Sequence, residues 1–369
     1  MPRLTVPQLS RLFEALADTF PMSEEEKAAW VEHCVLAELR GNIMQGLEHL
    51  GYHWFQRFTD GTTVWGAKVE IVRQTPAMAI LDARGVMGAL VAKQAMELAC
   101  ERARRTGVFT VAVRNSPDWM MVGYSTRQAL RYDCVGLVLA NSRPDVAPWG
   151  GTRAVYGHCV ISMALPTERH HPLLLDMACN DTGGLAAQAK LMRGEMPEGL
   201  YYDAEGKPAL DPALWGTDNV NWGIKGGAQR MSGHRDLALT AAVDAFAGAL
   251  TGMKCALDLG VPEPIVNGER PARGQVVMAF DVAQFTPLAE FKTKVDRAID
   301  QAKAVPLAPG FSEILMPGER GYREEERRRR EGIPIDDKVW REAVELARSR
   351  GVDAEAIVAA AREEPAESG

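Results

Sequence analysis

Five stretches of this chain are short, continuous and apolar: Val108–Arg114, Gly136–Asn141, Cys159–Ala164, Leu173–Ala178 and Val276–Asp281. An apolar run that does not alternate with polar residues has no wet face, so a strand built from it must be covered on both sides. The cover is present in the sequence. Long, Ala-rich helical patterns occupy Gly85–Arg105 and Asp236–Lys254, and amphipathic ones occupy residues 6–18 and Pro287–Val305. Another helix starts at a Ser23/Glu26 capping box and stops at Gly41. Val69–Gln74 and Met78–Ala83, split by a Thr-Pro turn, add two strands. The "EILMPGE" segment reads as a last strand and turn, and two helices separated at Gly351–Val352–Asp353 close the chain. Residues 180–235, rich in Gly, Pro and Trp, read as loops over one short helix, Leu185–Arg193. The expectation is one buried sheet between helices, an α/β chain. It has no GxGxxG after its first strand and no Walker loop, so a Rossmann domain has no support.

With 369 residues and 46% apolar content the chain can bury a large core. A net charge of −7 gives no broad basic surface for nucleic acid. The one basic run, Arg327–Arg330, is flanked by Glu and reads as a solvated helix face. Cys34, Cys100, Cys134, Cys159, Cys179 and Cys255 form no CxxC pair and mostly sit in apolar runs, as free thiols of a reducing compartment do. No stretch approaches the ~18–20 apolar residues of a membrane span. The expectation is a cytoplasmic protein with no membrane or nucleic-acid partner.

Two short segments carry chemistry. In "NSPDWMMVGY", Asn115–Tyr124, an acid stands beside a Trp and two Met residues at the end of a strand. Asp118 is either an Asx-turn residue or a working acid. In "QGLEHLGYHW", Gln45, His49 and His53 recur every four residues and would share one helix face. Two His at this spacing can chelate a metal, but Gln is a poor third ligand, so a polar pocket wall is favoured and no metal is expected.

Further motifs resemble one family along nearly the whole chain. They are "AELRG" (37–41), "MELACERARRTG" (96–107), "VAVRNS" (111–116), "VAPWGG" (146–151), "LLDMA" (174–178), "RGEMPEG" (193–199), "SGHR" (232–235), "FKTKVDRAID" (291–300), "MPGER" (316–320) and "REGIP" (330–334). In this order they resemble the type-2 malate/L-lactate dehydrogenases, a family that includes ureidoglycolate dehydrogenase, diketogulonate reductase and cyclic imino acid reductases. The resemblance implies a non-Rossmann NAD(P)-binding α/β fold, with a mostly antiparallel sheet flanked by helices plus a helical lobe. It implies residues 1–115 with 285–369 as a helical, dimerisation and substrate lobe, and 116–284 as a cofactor lobe. It also implies a homodimer with its site near the subunit interface, NAD or NADP as cofactor, and hydride transfer to or from a small 2-oxo acid or cyclic imine. By position it gives Ser142, Asp176, Met177, Asn180, His234, Arg235, Gly318, Glu319 and Arg320 contact with the dinucleotide.

The substrate side departs from the family pattern. Arg-Gly-His-x-Ser-His-Gly becomes Arg40-Gly41-Asn42-Ile43-Met44-Gln45-Gly46, so the proton-donating His is Gln45, which cannot exchange a proton near neutral pH. The Arg and Tyr that follow align with His49 and His53. Asn-Ser-Asn-His-Phe-Gly becomes Asn115-Ser116-Pro117-Asp118-Trp119-Met120. On this reading Asp118, Gln45, His49 and His53 rebuild the catalytic set. Trp119, Met120, Met121 and Met44 then wall the pocket and point to a bulkier or aromatic substrate. Two other readings stand beside it: the same fold running lyase, isomerase or cofactor-free acid/base chemistry, and a non-catalytic homologue.

Overall fold

The computed structural model describes residues 1–48, 50–180, 200–209, 227–259 and 273–360, with the side chains of Tyr52 and His53 excepted. Its strands are β1 (Arg3–Leu4), β2 (Glu70–Gln74), β3 (Met78–Asp82), β4 (Val108–Ser116), β5 (Cys134–Ala140), β6 (Val146–Ala147), β7 (Val160–Leu165), β8 (Leu173–Ala178), β9 (Tyr201–Tyr202), β10 (Ala228–Arg230), β11 (Arg273–Asp281) and β12 (Ile333–Pro334). The predicted apolar runs all join one seven-stranded sheet, in the order β2-β3-β4-β11-β5-β7-β8. Only β3 and β4 run parallel within it; the other pairs are antiparallel. The sheet draws strands from both sides of the lobe boundary implied by the sequence, and β4 and β11 from opposite sides pair at its centre.

The helices are α1 (Val6–Ala17), α2 (Glu24–Arg40), α3 (Gln56–Thr59), α4 (Gly88–Thr106), α5 (Gly123–Gln128), α6 (His234–Ala247), α7 (Leu288–Lys303), α8 (Glu319–Glu331), α9 (Asp337–Ser349) and α10 (Ala354–Ala360). α2 begins at the expected Ser23/Glu26 box and ends at Gly41 in the left-handed conformation. Its buried side packs against α1, α4 and α8. The main core runs from α1 and α2 through α4 to the centre of the sheet, with Trp30, Phe109, Val111 and Val277 buried inside it.

Two expectations change. "EILMPGE" forms no strand: residues 312–317 run as an extended connection into α8, and Leu315 is exposed. The single helix face expected for Gln45, His49 and His53 is not formed: Ile43–Gln45 is a 3-10 turn, Leu50–Phe55 a π-helical turn and only Gln56–Thr59 is α. Gln45 and His53 therefore do not share the face of one α-helix. The expected short helix, Leu185–Arg193, lies outside the described residues. The Arg327–Arg330 run behaves as expected: Arg327 and Arg328 pair with Glu324, Arg329 with Glu325 and Arg330 with Glu331. Five of the six cysteines are buried, and all six are free thiols. Among the described residues no helix is long and apolar enough to cross a membrane.

Candidate active site

The loop after β4 is held in an uncommon shape. Asn115 and Met120 both adopt positive φ, 54° and 61°, which non-glycine residues rarely do outside constrained sites. Asn115 Nδ2 secures one end by donating to both carboxylate oxygens of Asp82, at 3.0 and 2.9 Å. Asp118 secures the middle. It accepts the Met120 N–H at 2.9 Å, an Asx turn, and pairs with Arg273 and, at 3.7 Å, with Arg57. The loop lies directly over the start of α4: a Cβ on Gly88 would stand 2.0 Å from the Asp118 carbonyl oxygen.

These contacts decide what Asp118 can do. Burial alone would raise its carboxyl pKa, but Arg273 and Arg57 reverse the shift and hold it well below the usual carboxylate range. A carboxylate that stays ionised at every working pH cannot donate a proton, so the expected acid role is replaced by that of an internal counter-ion. Trp119 is corrected too. It is buried in the main core and donates Nε1–H to Ser116 Oγ at 2.8 Å, so it does not wall an open pocket. Met120 lies 3.5 Å from Arg57 Nη1 through its sulfur.

Beside this loop opens a cavity of about 170 Å³. Asn42 enters it from the end of α2, with Nδ2 placed 3.1 Å from the Met121 sulfur. Met121 and Gly123 line it from the loop, Leu174 and Asp176 from β8, and Gly318 and Arg320 from the start of α8. Gly123 carries no side chain for a reason: a Cβ there would lie 2.6 Å from Asp176 Oδ2. Gly318 has φ 83°, and a Cβ would stand 2.7 Å from that of Leu174. Enclosure by protein pushes the Asp176 carboxyl up to about 6, against the Gly123 N–H, the Arg40 guanidinium and the Ser162 hydroxyl, which all favour the ionised form. Its carboxylate nonetheless meets water through the cavity mouth, which limits the effect of enclosure.

Behind the cavity, Arg40 lies 4.3 Å above the Tyr322 ring and donates Nη2 to the Gly318 carbonyl at 3.3 Å. Arg127 binds both oxygens of Glu325, at 2.6 and 3.1 Å. His33, on α2, accepts the Met121 N–H through Nε2 at 3.2 Å. Burial lowers its pKa to about 4, so it is neutral. Sequence reasoning gave none of Arg40, Arg57, Arg127, Arg273 and His33 a role. A signal existed for two of them, since His33 and Arg40 are seven residues apart and so share a face of α2.

With this geometry in place, comparison with known proteins decides the family. A model of the malate/L-lactate dehydrogenase family matches residues 4–343. The chain belongs to that family. It is similar to malate dehydrogenase of Pyrococcus abyssi, 32% identical over 339 residues, covering 89% of this chain and 90% of that protein. It is also similar to L-sulfolactate dehydrogenase of Methanothermobacter thermautotrophicus, 29% identical with 96% and 98% covered. Among solved structures, sulfolactate dehydrogenase from Methanocaldococcus jannaschii superposes with a TM-score of 0.81 at 27% identity, covering 96% of this chain and 99% of that one. The fold is therefore the family's non-Rossmann α/β fold, and the chain is an oxidoreductase of this family.

The remaining expected site residues fall in several places. Neither Gln45 nor the buried Met44 lines the cavity, and the backbone carbonyl of Gln45 accepts Trp54 Nε1–H at 3.1 Å. His49 and the His53 side chain lie outside the described residues. Ser142 packs against Gly157, where a Cβ would stand 2.2 Å from the Ser142 carbonyl oxygen. Asn180 is buried, 3.1 Å from His158 Nδ1. Met177 is exposed on the edge strand β8, and His234 and Arg235 are exposed at the start of α6. Asp236 accepts Ser232 N–H and Oγ–H, both at 2.9 Å, which ties it to the chain's own helix start. Glu319 is corrected. Its carboxylate is taken by Lys303 at 2.7 Å, by Met316 N–H at 2.9 Å and by Arg323. Burial would raise its pKa, but those partners hold it at about 2, so it is a structural anchor. Among the described residues no cluster of His, Cys, Asp or Glu is placed to hold a metal ion.

Proposed function

We propose that the protein moves a hydride between NAD(P)H and the C=O or C=N carbon of a small anionic molecule, at the cavity built around Asp176. One observation carries this reading. Segments that the family resemblance assigns to the substrate side (Asn42, Met121) and to the cofactor side (Asp176, Gly318) meet in a single cavity. Hydride transfer is the chemistry a nicotinamide supplies when bound. The chain must bind, orient and move one proton. Asp176 suits the proton, because it is the acid that lines the cavity and its surroundings move its carboxyl up toward neutral pH. Gly123 and Gly318 keep backbone bare beside it, so a ligand can approach closely.

The fit for a nicotinamide nucleotide is partial by volume. A cavity of about 170 Å³ is below the ~300–1,000 Å³ usual for drug-sized ligands, so it holds one portion of a dinucleotide. Of the four expected apolar walls only Met121 lines the cavity, which leaves little ground for an aromatic substrate. The names of the similar enzymes, malate and sulfolactate dehydrogenase, instead favour a short 2-hydroxy or 2-oxo acid. The direct test is a spectrophotometric screen of NADH and NADPH against four-carbon and sulfonated 2-oxo acids and cyclic imino acids. Cofactor oxidation with one class supports the reading; no oxidation and no cofactor binding sinks it.

A homodimer is part of this proposal. Val305, Leu307, Phe311 and Leu315 are exposed together along the connection from α7 to α8, an apolar run that a second copy would cover. Sedimentation at micromolar concentration should give a dimer, and a monomer would refute it. The free thiols favour a cytoplasmic setting.

A further inference from the structure

We propose that a second recess, between α2, the end of α5 and α8, binds a small molecule that carries one carboxylate or sulfonate on an apolar body. The recess holds about 460 Å³, against about 170 Å³ for the cavity at Asp176, and lies within the ~300–1,000 Å³ usual for drug-sized ligands. None of the residues that the family resemblance gives to substrate or dinucleotide lines it. It shares two wall residues, Leu36 and Arg127, with the smaller cavity.

The floor comes from the sequence of α2. Val31, Val35 and Leu39 stand four residues apart with Leu36 beside them, so one stripe of the helix faces the recess. Leu130 and Pro172 continue this apolar surface. All six side chains are buried or half-buried at the base of a hollow. The protruding apolar side chains, Val305, Leu307, Phe311 and Leu315, lie elsewhere on the chain. A hollow of this kind takes a compact ligand rather than the flat face of a second copy.

The rim selects the charge of that ligand. Arg127, Arg131 and Arg329 stand around the opening with Glu32. Glu32 meets Lys93 at 3.2 Å and Arg131 at 2.8 Å. Glu325, behind the rim, meets Arg127 at 2.6 Å, Arg329 at 2.8 Å and Arg40 at 3.5 Å. Glu97, on α4, also lies in the field of Lys93 and Arg131. Five cations thus border three acids, in a chain whose net charge is −7. Arg131 and Arg329 donate to their acids through Nη2, and their side chains are 59% and 50% exposed. A guanidinium has five N–H donors, so both can turn others to an oxyanion at the mouth. The apolar body then lies along the α2 stripe. An aryl or alkyl carboxylate or sulfonate has this shape.

The site does not depend on the oxidoreductase reading. Its test uses the full chain and two fluorescent probes that differ by one group: anilinonaphthalene sulfonate, and phenylnaphthylamine, which has the same rings without the sulfonate. The sulfonate should bind saturably, one per chain, about ten-fold or more tightly than the uncharged probe. Arg131→Glu should weaken the sulfonate about ten-fold and leave the uncharged probe in place, while Arg131→Lys stays near the parent. Val31→Trp, which fills the floor, should weaken both probes. Saturating NAD⁺ or NADP⁺ should displace neither. Arg131 is exposed, so its two variants decide the question even if Val31→Trp does not fold. Equal affinity for the two probes, sulfonate binding unchanged by Arg131→Glu, or displacement by either nucleotide would overturn the site. So would a dimer that Arg131→Glu converts to monomer, because that result gives the recess to a second copy.

Discussion

Asp118 and Asp176 show how two carboxyl groups of one type are driven to opposite chemistry by their neighbours. Asp118 faces two guanidinia and stays ionised; Asp176 stands beside Gly123 at the cavity, open to water on one side, and its carboxyl moves up toward neutral pH. Asp118→Asn should therefore act on stability. It leaves Arg57 and Arg273 without their shared carboxylate, a loss on the order of 2–3 kcal/mol, below the ~3–5 kcal/mol of a fully buried pair because Asp118 is 27% exposed. Urea denaturation measures the loss, and the pH profile of turnover between about 5 and 9 should keep its shape. Asp176→Asn should do the reverse: turnover falls about 10²-fold or more, and the limb near pH 6 disappears from kcat/KM. Gly123→Ala should mimic it in part, since the new methyl would stand 2.6 Å from Asp176 Oδ2 and displace it. The sequence placed Asp118 in a loop of functional character but could not show its role. That role belongs to Arg273, 155 residues away along the chain. The signal for Asp176 was its position in "LLDMA", and its chemistry came from Gly123 and Arg40, on other elements.

α2 and the 3-10 turn that follows it act as a unit through Glu38. The buried Glu38 carboxyl accepts the Leu47 N–H at 2.7 Å, and Gly46 packs so closely that a Cβ would lie 2.3 Å from Glu38 Oε1. Burial pushes this carboxyl from 4.5 up to about 7, helped by Glu48 and opposed by the Leu47 N–H and Arg328. Between those values the unfolded chain is ionised while the folded one keeps its proton. Stability therefore falls as pH rises through that window and levels off above it, by about 3 kcal/mol in all. Glu38→Gln keeps an acceptor for Leu47 N–H and cannot ionise. Its stability, compared with the parent at pH 5 and pH 8, should show the smaller decline; an equal decline in both would refute the assignment. At this scale the sequence was most legible. The continuous apolar runs all became strands of one sheet, though β8 lies at its edge with Asp176 and Met177 exposed rather than buried, and the Ser23 and Gly41 caps bounded α2. It misread "EILMPGE" because apolar content alone does not supply a pairing partner, and the exposed side chains along this connection lack a core to enter.

The whole molecule brings distant segments together around one sheet. β8 carries Asp176 to its edge, α2 delivers Asn42 and Arg40, and the connection after α7 sets Gly318 and Arg320 against them. No stretch of sequence contains this site, which is why motifs gave the family and the fold yet spread the expected catalytic set over Gln45 and Asp118. The proposed function requires this meeting point to bind a nicotinamide nucleotide beside Asp176. The most direct measurement is a titration of NADH and NADPH into the purified protein, following Trp emission and nicotinamide emission together. Saturable binding of at least one nucleotide is expected, weakened by Gly318→Ala, whose added methyl would meet Leu174. Absence of saturable binding of both nucleotides up to millimolar concentration would contradict it.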